Sequence, residues 1–72
     1  HDSVLGDFTH ISAQCAIGGS VVMEECSVVY PGAVVTPRRR IGAGAVVGAL
    51  SSVFTDVAPG VTVYGNPASI LE

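Results

Sequence analysis

An apolar side chain returns at every sixth position of this chain: Leu5, Ile11, Ile17, Met23, Val29, Val35, Ile41, Val47 and Val53. The frame holds throughout without a slip. Four positions after each comes Thr9, Cys15, Val21, Ser27, Ala33, Arg39, Ala45, Ser51 or Val57, and all but Arg39 are small or β-branched. The residue directly after is often small, as in Gly6, Ser12, Gly18, Gly42 and Gly48. A helix would gather positions i, i+3 and i+4 on one face, so a hexad period is not helical. It predicts a short strand followed by a tight turn, with one apolar residue per side pointing inward. Three sides, one hexad each, close a triangular coil, which divides the chain into coils 5–22, 23–40 and 41–58. Stacking puts Leu5 under Met23 under Ile41, Ile11 under Val29 under Val47, and Ile17 under Val35 under Val53. Each side becomes a flat parallel sheet with strands about 4.8 Å apart. The second inward residue must be small because little interior space remains. Glycine after the apolar residue is expected to supply the unusual φ/ψ values of the turns.

After Val57 the frame gives way to Ala58-Pro59-Gly60-Val61-Thr62-Val63-Tyr64-Gly65-Asn66-Pro67-Ala68, whose prolines and glycines end a strand repeat. This segment is expected to fold over the open end of the prism and cover its last unpaired edge. The chain therefore reads as β-helix coils over 1–58 and a cap loop and tail over 59–72. The short tail Ala68-Ser69-Ile70-Leu71 is expected to begin a helix. At the other end Leu5 has no coil beneath it. The sequence starts in mid-pattern at His1, without a Met, as a piece of a longer protein would.

Composition narrows the functional classes. The chain is 49% hydrophobic but only 6% aromatic, with no Trp, so stability has to come from repetition rather than from large side chains. A net charge of -3 gives no electrostatic reason to expect nucleic acid or an anionic membrane. No apolar run approaches the roughly 20 residues that cross a bilayer. Cys15 and Cys26 make neither a disulfide framework nor a four-ligand zinc site. They lie just short of two hexads apart rather than a whole coil, so they should not stack. A reduced pair in a cytoplasmic setting is expected.

His1 and His10 are the only histidines. Each could be a solvated corner residue. Geometry also gives His1 a chemical reading, because positions 1 and 19 differ by one whole coil, which puts His1 directly below Gly19 on the same corner. An imidazole and a backbone N–H would then share one outer groove, about 5 Å apart. That pairing suits acyl transfer: a base takes a proton from an attacking amine or hydroxyl, and the N–H stabilises the thioester oxyanion. Asp2 could hold the ring in the useful tautomer, or be a solvated turn acid.

The run His1-Asp2-Ser3-Val4-Leu5-Gly6-Asp7-Phe8-Thr9-His10 resembles the His-(Glu/Asp)-x-x-Ile-Gly-(Asp/Glu)-Phe-x-His motif of the sialic acid O-acetyltransferase and UDP-amino-sugar N-acetyltransferase family. Val63-Tyr64-Gly65-Asn66-Pro67-Ala68 is similar to that family's closing segment. The resemblance implies an all-β fold, a left-handed parallel β-helix, although parallel crossovers are generally right-handed. It also implies a metal-free acetyltransferase that uses acetyl-CoA and a sugar or nucleotide-sugar acceptor. His1 would be the general base, oriented by Asp2, with His10 at the acetyl carbonyl and the Gly19 amide beside it. A homotrimer would hold acetyl-CoA between adjacent prisms.

Two departures stand out. The family's N-terminal nucleotide-sugar-binding domain is not represented, and Pro37-Arg38-Arg39-Arg40 replaces a segment that usually reads Pro-Gly-aliphatic-x. Arg39 falls at an inward position, where an unpaired charge is costly, so it should turn outward or snorkel. The three arginines read as a solvated basic turn, or as contacts to CoA phosphates, which guanidinium suits. Tyr30, Phe54 and Tyr64 could line the CoA groove or a subunit contact. A γ-type carbonic anhydrase uses the same prism but needs three histidines on zinc. The other class that fits the hexads is a trimerising β-helix fragment without catalytic activity; the outward Thr-x-Thr ladders of an ice-binding prism are absent.

Overall fold

Every hexad forms a two-residue strand and a turn. The computed structural model describes residues 2–71, so His1 and Glu72 lie outside it. The strands are β1 (Val4–Leu5), β2 (His10–Ile11), β3 (Ala16–Ile17), β4 (Val22–Met23), β5 (Val28–Val29), β6 (Val34–Val35), β7 (Arg40–Ile41), β8 (Val46–Val47) and β9 (Ser52–Val53), followed by the longer β10 (Thr62–Gly65) and β11 (Ala68–Leu71). They form three sheets, ordered β1-β4-β7, β11-β10-β8-β5-β2 and β3-β6-β9. Parallel pairing sets Leu5 on Met23, Ile11 on Val29 and Ile17 on Val35, an offset of three hexads on every side. Met23, Val29, Val35, Ile41, Val47 and Val53 are all at most 1% exposed. The second inward position is filled as its size demands, with Val21, Ser27, Ala33, Ala45 and Ser51 fully buried. Both buried hydroxyls are used: Ser27 Oγ donates to the Glu24 carbonyl at 2.7 Å, and Ser51 Oγ accepts the Gly65 N–H at 3.1 Å.

The turns are built differently from the sequence expectation. Positive φ occurs three positions after the apolar residue, at Phe8, Gln14, Ser20, Cys26, Gly32, Arg38, Gly44 and Leu50, and most of these are not glycine. None of the non-glycine ones is β-branched, in keeping with the steric limits of the left-handed region. The corner N–H groups of Cys26, Gly32, Arg38, Gly44 and Leu50 donate to the carbonyls of Asp7, Ala13, Gly19, Glu25 and Pro31 in the coil below, at 2.9–3.2 Å. Each such bond contributes about 1 kcal/mol, against a left-handed penalty of roughly 1–2 kcal/mol. The corners therefore come close to balance, and burial of the inward side chains decides. Glycine directly after the apolar residue serves close approach instead. A Cβ on Gly18 would lie 2.6 Å from the Pro37 nitrogen, and one on Gly6 would lie 2.8 Å from the Glu25 nitrogen.

The third coil is shorter than the three hexads expected. Ile41 bridges Val57, and Val63 pairs with Val47, so the offset falls by two positions above Val53. Val57 and Val63 are 5% and 6% exposed and continue the inward frame out of phase with the hexads below. The tail is a strand and not a helix: β11 pairs antiparallel with β10 around Asn66-Pro67, whose peptide is cis. Backbone groups left unpaired on β10 recruit the tail into the sheet, and so short a segment cannot hold a helix alone. At the lower end Leu5 is 53% exposed.

These contacts generate two expectations. Gly42→Ala drives a Cβ into the Pro59 and Ala58 backbone, whereas Gly44→Ala enters open space at φ +70°. The first should cost about 2–3 kcal/mol and the second about 1 kcal/mol in denaturant melts; equal losses would remove the close-approach argument. In the native protein Cys26, exposed at its corner, should be alkylated well before Cys15, which packs against the core and donates to the Tyr30 carbonyl at 3.1 Å.

Candidate functional site

The whole-coil register sorts the turns onto three corners. One carries Asp7 below Glu25 below Ala43; the next carries Ala13, Pro31 and Ala49; the third carries Asp2 below Ser20 below Arg38, with Gly19 below Pro37 beside them. Contact between coils on the third corner is direct, since Ser3 Oγ donates to the Gly18 carbonyl at 3.3 Å and the Arg38 N–H donates to the Gly19 carbonyl at 3.0 Å.

The spare groups of the scaffold are the corner amides two positions after each apolar residue. Ladder bonds use the N–H groups on either side of each strand, and corner bonds use the left-handed residue, which leaves this amide over. Pro31 and Pro37 occupy two such positions and have no N–H to satisfy. At a third, Glu24 Oε1 accepts the Ala43 N–H at 3.1 Å. Gly19 is of the same class, and its N–H enters neither the ladder nor the corner bonds. It is a donor on a residue without a side chain, the kind of group that can serve a developing oxyanion.

Of the four residues expected to carry chemistry, Asp2 and Gly19 share the third corner, with Asp2 exposed one coil below. His1, expected beside Asp2, lies outside the described residues. His10 stands elsewhere: it opens β2 on the middle sheet, exposed, in the column of Val28, Val46 and Thr62. A single prism does not bring His10 to the Gly19 amide, because a full side of the triangle separates them.

The arginines divide. Arg40 lies in β7 and its Nη1 pairs with Glu24 Oε2 at 2.7 Å, while its N–H is held by Asp56 Oδ1 at 2.9 Å. Arg39 has turned out of the interior as expected: Nε donates to the Pro37 carbonyl at 3.2 Å and Nη1 to the Phe54 carbonyl at 3.3 Å. Arg39 lies in the stretch where the offset changes, between the pairing of Val35 with Val53 and that of Ile41 with Val57. Arg38 is exposed, on the same corner as Asp2 and Gly19. The sequence reading missed this alignment, although 2, 20 and 38 differ by whole coils. It also missed Glu24, whose partners are Arg40 in β7 and Ala43 in the turn after it. Tyr30, Phe54 and Tyr64 are all about half exposed. Among the described residues no three acidic, His or Cys side chains gather as a metal would require.

Comparison with known proteins places this geometry. The chain matches no protein-family model. It is 35% identical over 68 residues to acyl-[acyl-carrier-protein]–UDP-N-acetylglucosamine O-acyltransferases of Pseudomonas aeruginosa and Pseudomonas paraeruginosa, a match covering 94% of this chain. It spans about a quarter (26%) of the length of these curated relatives. Among solved structures it is similar to perosamine N-acetyltransferase from Caulobacter crescentus, in complex with CoA and GDP-perosamine, with a TM-score of 0.96 and 35% identity over 99% of this chain and 34% of the other. An N-acyltransferase from Bacillus cereus superposes with a TM-score of 0.94 over 97% of this chain and 51% of the other, at 18% identity, which speaks for the fold alone. The coils wind left-handed, against the usual rule for parallel crossovers. In its unbroken hexads, its three-sided left-handed coils and these likenesses, the chain is similar to the hexapeptide-repeat acyltransferases.

Proposed function

We propose that this chain is the β-helix part of an acetyltransferase that moves an acetyl group from acetyl-CoA to the amine or hydroxyl of a sugar or nucleotide sugar. The observation that carries the reading is the third corner, where the residue expected to orient a base lies in the coil beneath a backbone amide that no bond among the described residues uses. His1 removes the proton as the acceptor nitrogen or oxygen attacks the thioester carbonyl. Asp2 holds the imidazole, and the Gly19 N–H stabilises the oxyanion. When the C–S bond breaks, the proton on His1 passes to the departing CoA sulfur. No residue in this scheme calls for a metal.

His10 belongs to the same reaction through a second copy. Its side of the prism differs from that of Asp2 and Gly19, so the site is completed where prisms meet. Outward apolar residues such as Val4 and Val34, 60% and 40% exposed, suit face-to-face packing in a homotrimer with CoA between the subunits. Support for CoA as donor comes from the perosamine N-acetyltransferase complex, and acyl transfer to a sugar nucleotide is common to that protein and the curated relatives. A cytoplasmic setting fits the use of acetyl-CoA and the two free thiols.

In the full-length trimer, His1→Ala should lower kcat by about 10²–10⁴-fold with little change in melting temperature. His10→Ala should raise the KM for acetyl-CoA more than it alters stability. Turnover unchanged by His1→Ala would defeat the assignment, and a trimer without affinity for CoA would mark an assembly module instead.

A further inference from the structure

Three successive peptides run through the corner where Gly19 stands, and the fold holds them by different means. The peptide joining Ile17 to Gly18 is held by the ladder, since the Gly18 N–H donates to the Val35 carbonyl at 2.8 Å. The peptide joining Gly19 to Ser20 is held by the corner bond, in which the Gly19 carbonyl accepts the Arg38 N–H at 3.0 Å. Between them, the peptide joining Gly18 to Gly19 enters no backbone bond among the described residues. Its carbonyl accepts a hydrogen bond from Ser3 Oγ, in the coil below, at 3.3 Å. Its N–H is the amide to which the acyl-transfer scheme gives the oxyanion.

Sterics do little to fix that middle peptide. It joins the only two adjacent glycines of the chain, so no Cβ flanks it on either side. A side chain cannot be added at Gly18, where a Cβ would lie 2.6 Å from the Pro37 nitrogen. A peptide is planar and trans, so its N–H points opposite to its C=O. Anchoring the Gly18 carbonyl therefore aims the Gly19 N–H. Ser3 is of the same inward class as Thr9, Cys15 and Ser27. Cys15 makes the equivalent bond at the second corner, where its Sγ donates to the Tyr30 carbonyl at 3.1 Å across the same spacing of 15 residues. There the peptide leads into Pro31 and has no N–H to aim. One device serves both corners, and only at the third does it act on a donor.

We propose that Ser3 is a positioning residue, whose hydroxyl holds this peptide so that the Gly19 N–H meets the thioester oxygen. The inference rests on the acyl-transfer reading and adds a residue to its machinery. Ser3 directly follows Asp2, so one short segment carries both the acid assigned to the base and the hydroxyl that sets the donor. At 3.3 Å the bond is long for a hydroxyl, so it orients the amide more than it polarises it.

The test is isotope-edited infrared spectroscopy of acetyl-CoA, labelled with ¹³C at the thioester carbonyl and bound to the full-length protein. Calorimetry follows affinity and sedimentation follows assembly. In the wild type the bound carbonyl should absorb at lower frequency than in free acetyl-CoA, because a hydrogen bond to its oxygen weakens the C=O bond. Ser3→Ala should keep the affinity for acetyl-CoA and lose most of that downshift. Ser3→Thr should restore it, since Thr9 already occupies a position of the same class. Cys15→Ala removes the equivalent bond where no N–H depends on it, and should leave the downshift intact. A merely structural role of Ser3 would move stability or assembly, and not the carbonyl frequency. The proposal is overturned if Ser3→Ala keeps the full downshift, if Ser3→Thr fails to restore it, or if Cys15→Ala loses as much. It is also overturned if the wild-type carbonyl is unshifted, or if the loss merely follows dissociation of the assembly. Each of those outcomes leaves acyl transfer standing, whereas a wild-type protein that does not bind acetyl-CoA sinks both readings.

Discussion

Each coil must lay its backbone in register on the coil beneath, because a strand of two residues has no other partner for its N–H and C=O groups. The pairing of Val4 with Val22, His10 with Val28 and Ala16 with Val34 meets that demand at one offset on all three sides. A slip of one position would turn the whole inward set outward, since side chains alternate along a strand. Corner geometry follows from the same demand. The chain accepts left-handed backbone at Phe8, Gln14, Ser20, Cys26, Arg38 and Leu50 because so short a hexad leaves little room for any other turn. The corner bonds offset most of that cost, and the buried column of Met23, Ile41 and their neighbours supplies the margin.

A scaffold this regular leaves one amide over at each corner, and its uses distinguish the corners. Proline removes it at positions 31 and 37, and Glu24 absorbs it at Ala43. At Gly19, beside Ser20 in the coil above Asp2, no bond among the described residues takes it. Repetition thus provides a row of equivalent donors, and the exceptions in sequence determine which of them can meet a ligand.

The shortened third coil is where the repeat ends. The tighter spacing from Val53 to Val57 keeps the apolar column over Ile41. The guanidinium of Arg39 and the carboxylate of Asp56 bond the backbone that this corner leaves exposed. β10 then continues the middle sheet and β11 folds back on it, so the cap is an extension of the ladder rather than a separate lid.

The hexad period, the three-sided coil, the vertical stacking of apolar residues and the outward turn of Arg39 were all legible in the chain. Each depends on local sterics and on a spacing that repeats. That Asp2 lies under Ser20, beside Gly19 on one corner, was legible for the same reason, since a whole-coil offset is arithmetic. Other features depended on where backbone groups found partners after folding. The left-handed turn positions, the change of offset at Val57, the strand at Ala68–Leu71 and the placement of His10 a full side away from Gly19 are of this kind. Periodicity records which side chains face inward. Only the closed prism decides which outward groups share a corner, because that relation joins residues from different turns through space rather than along the chain.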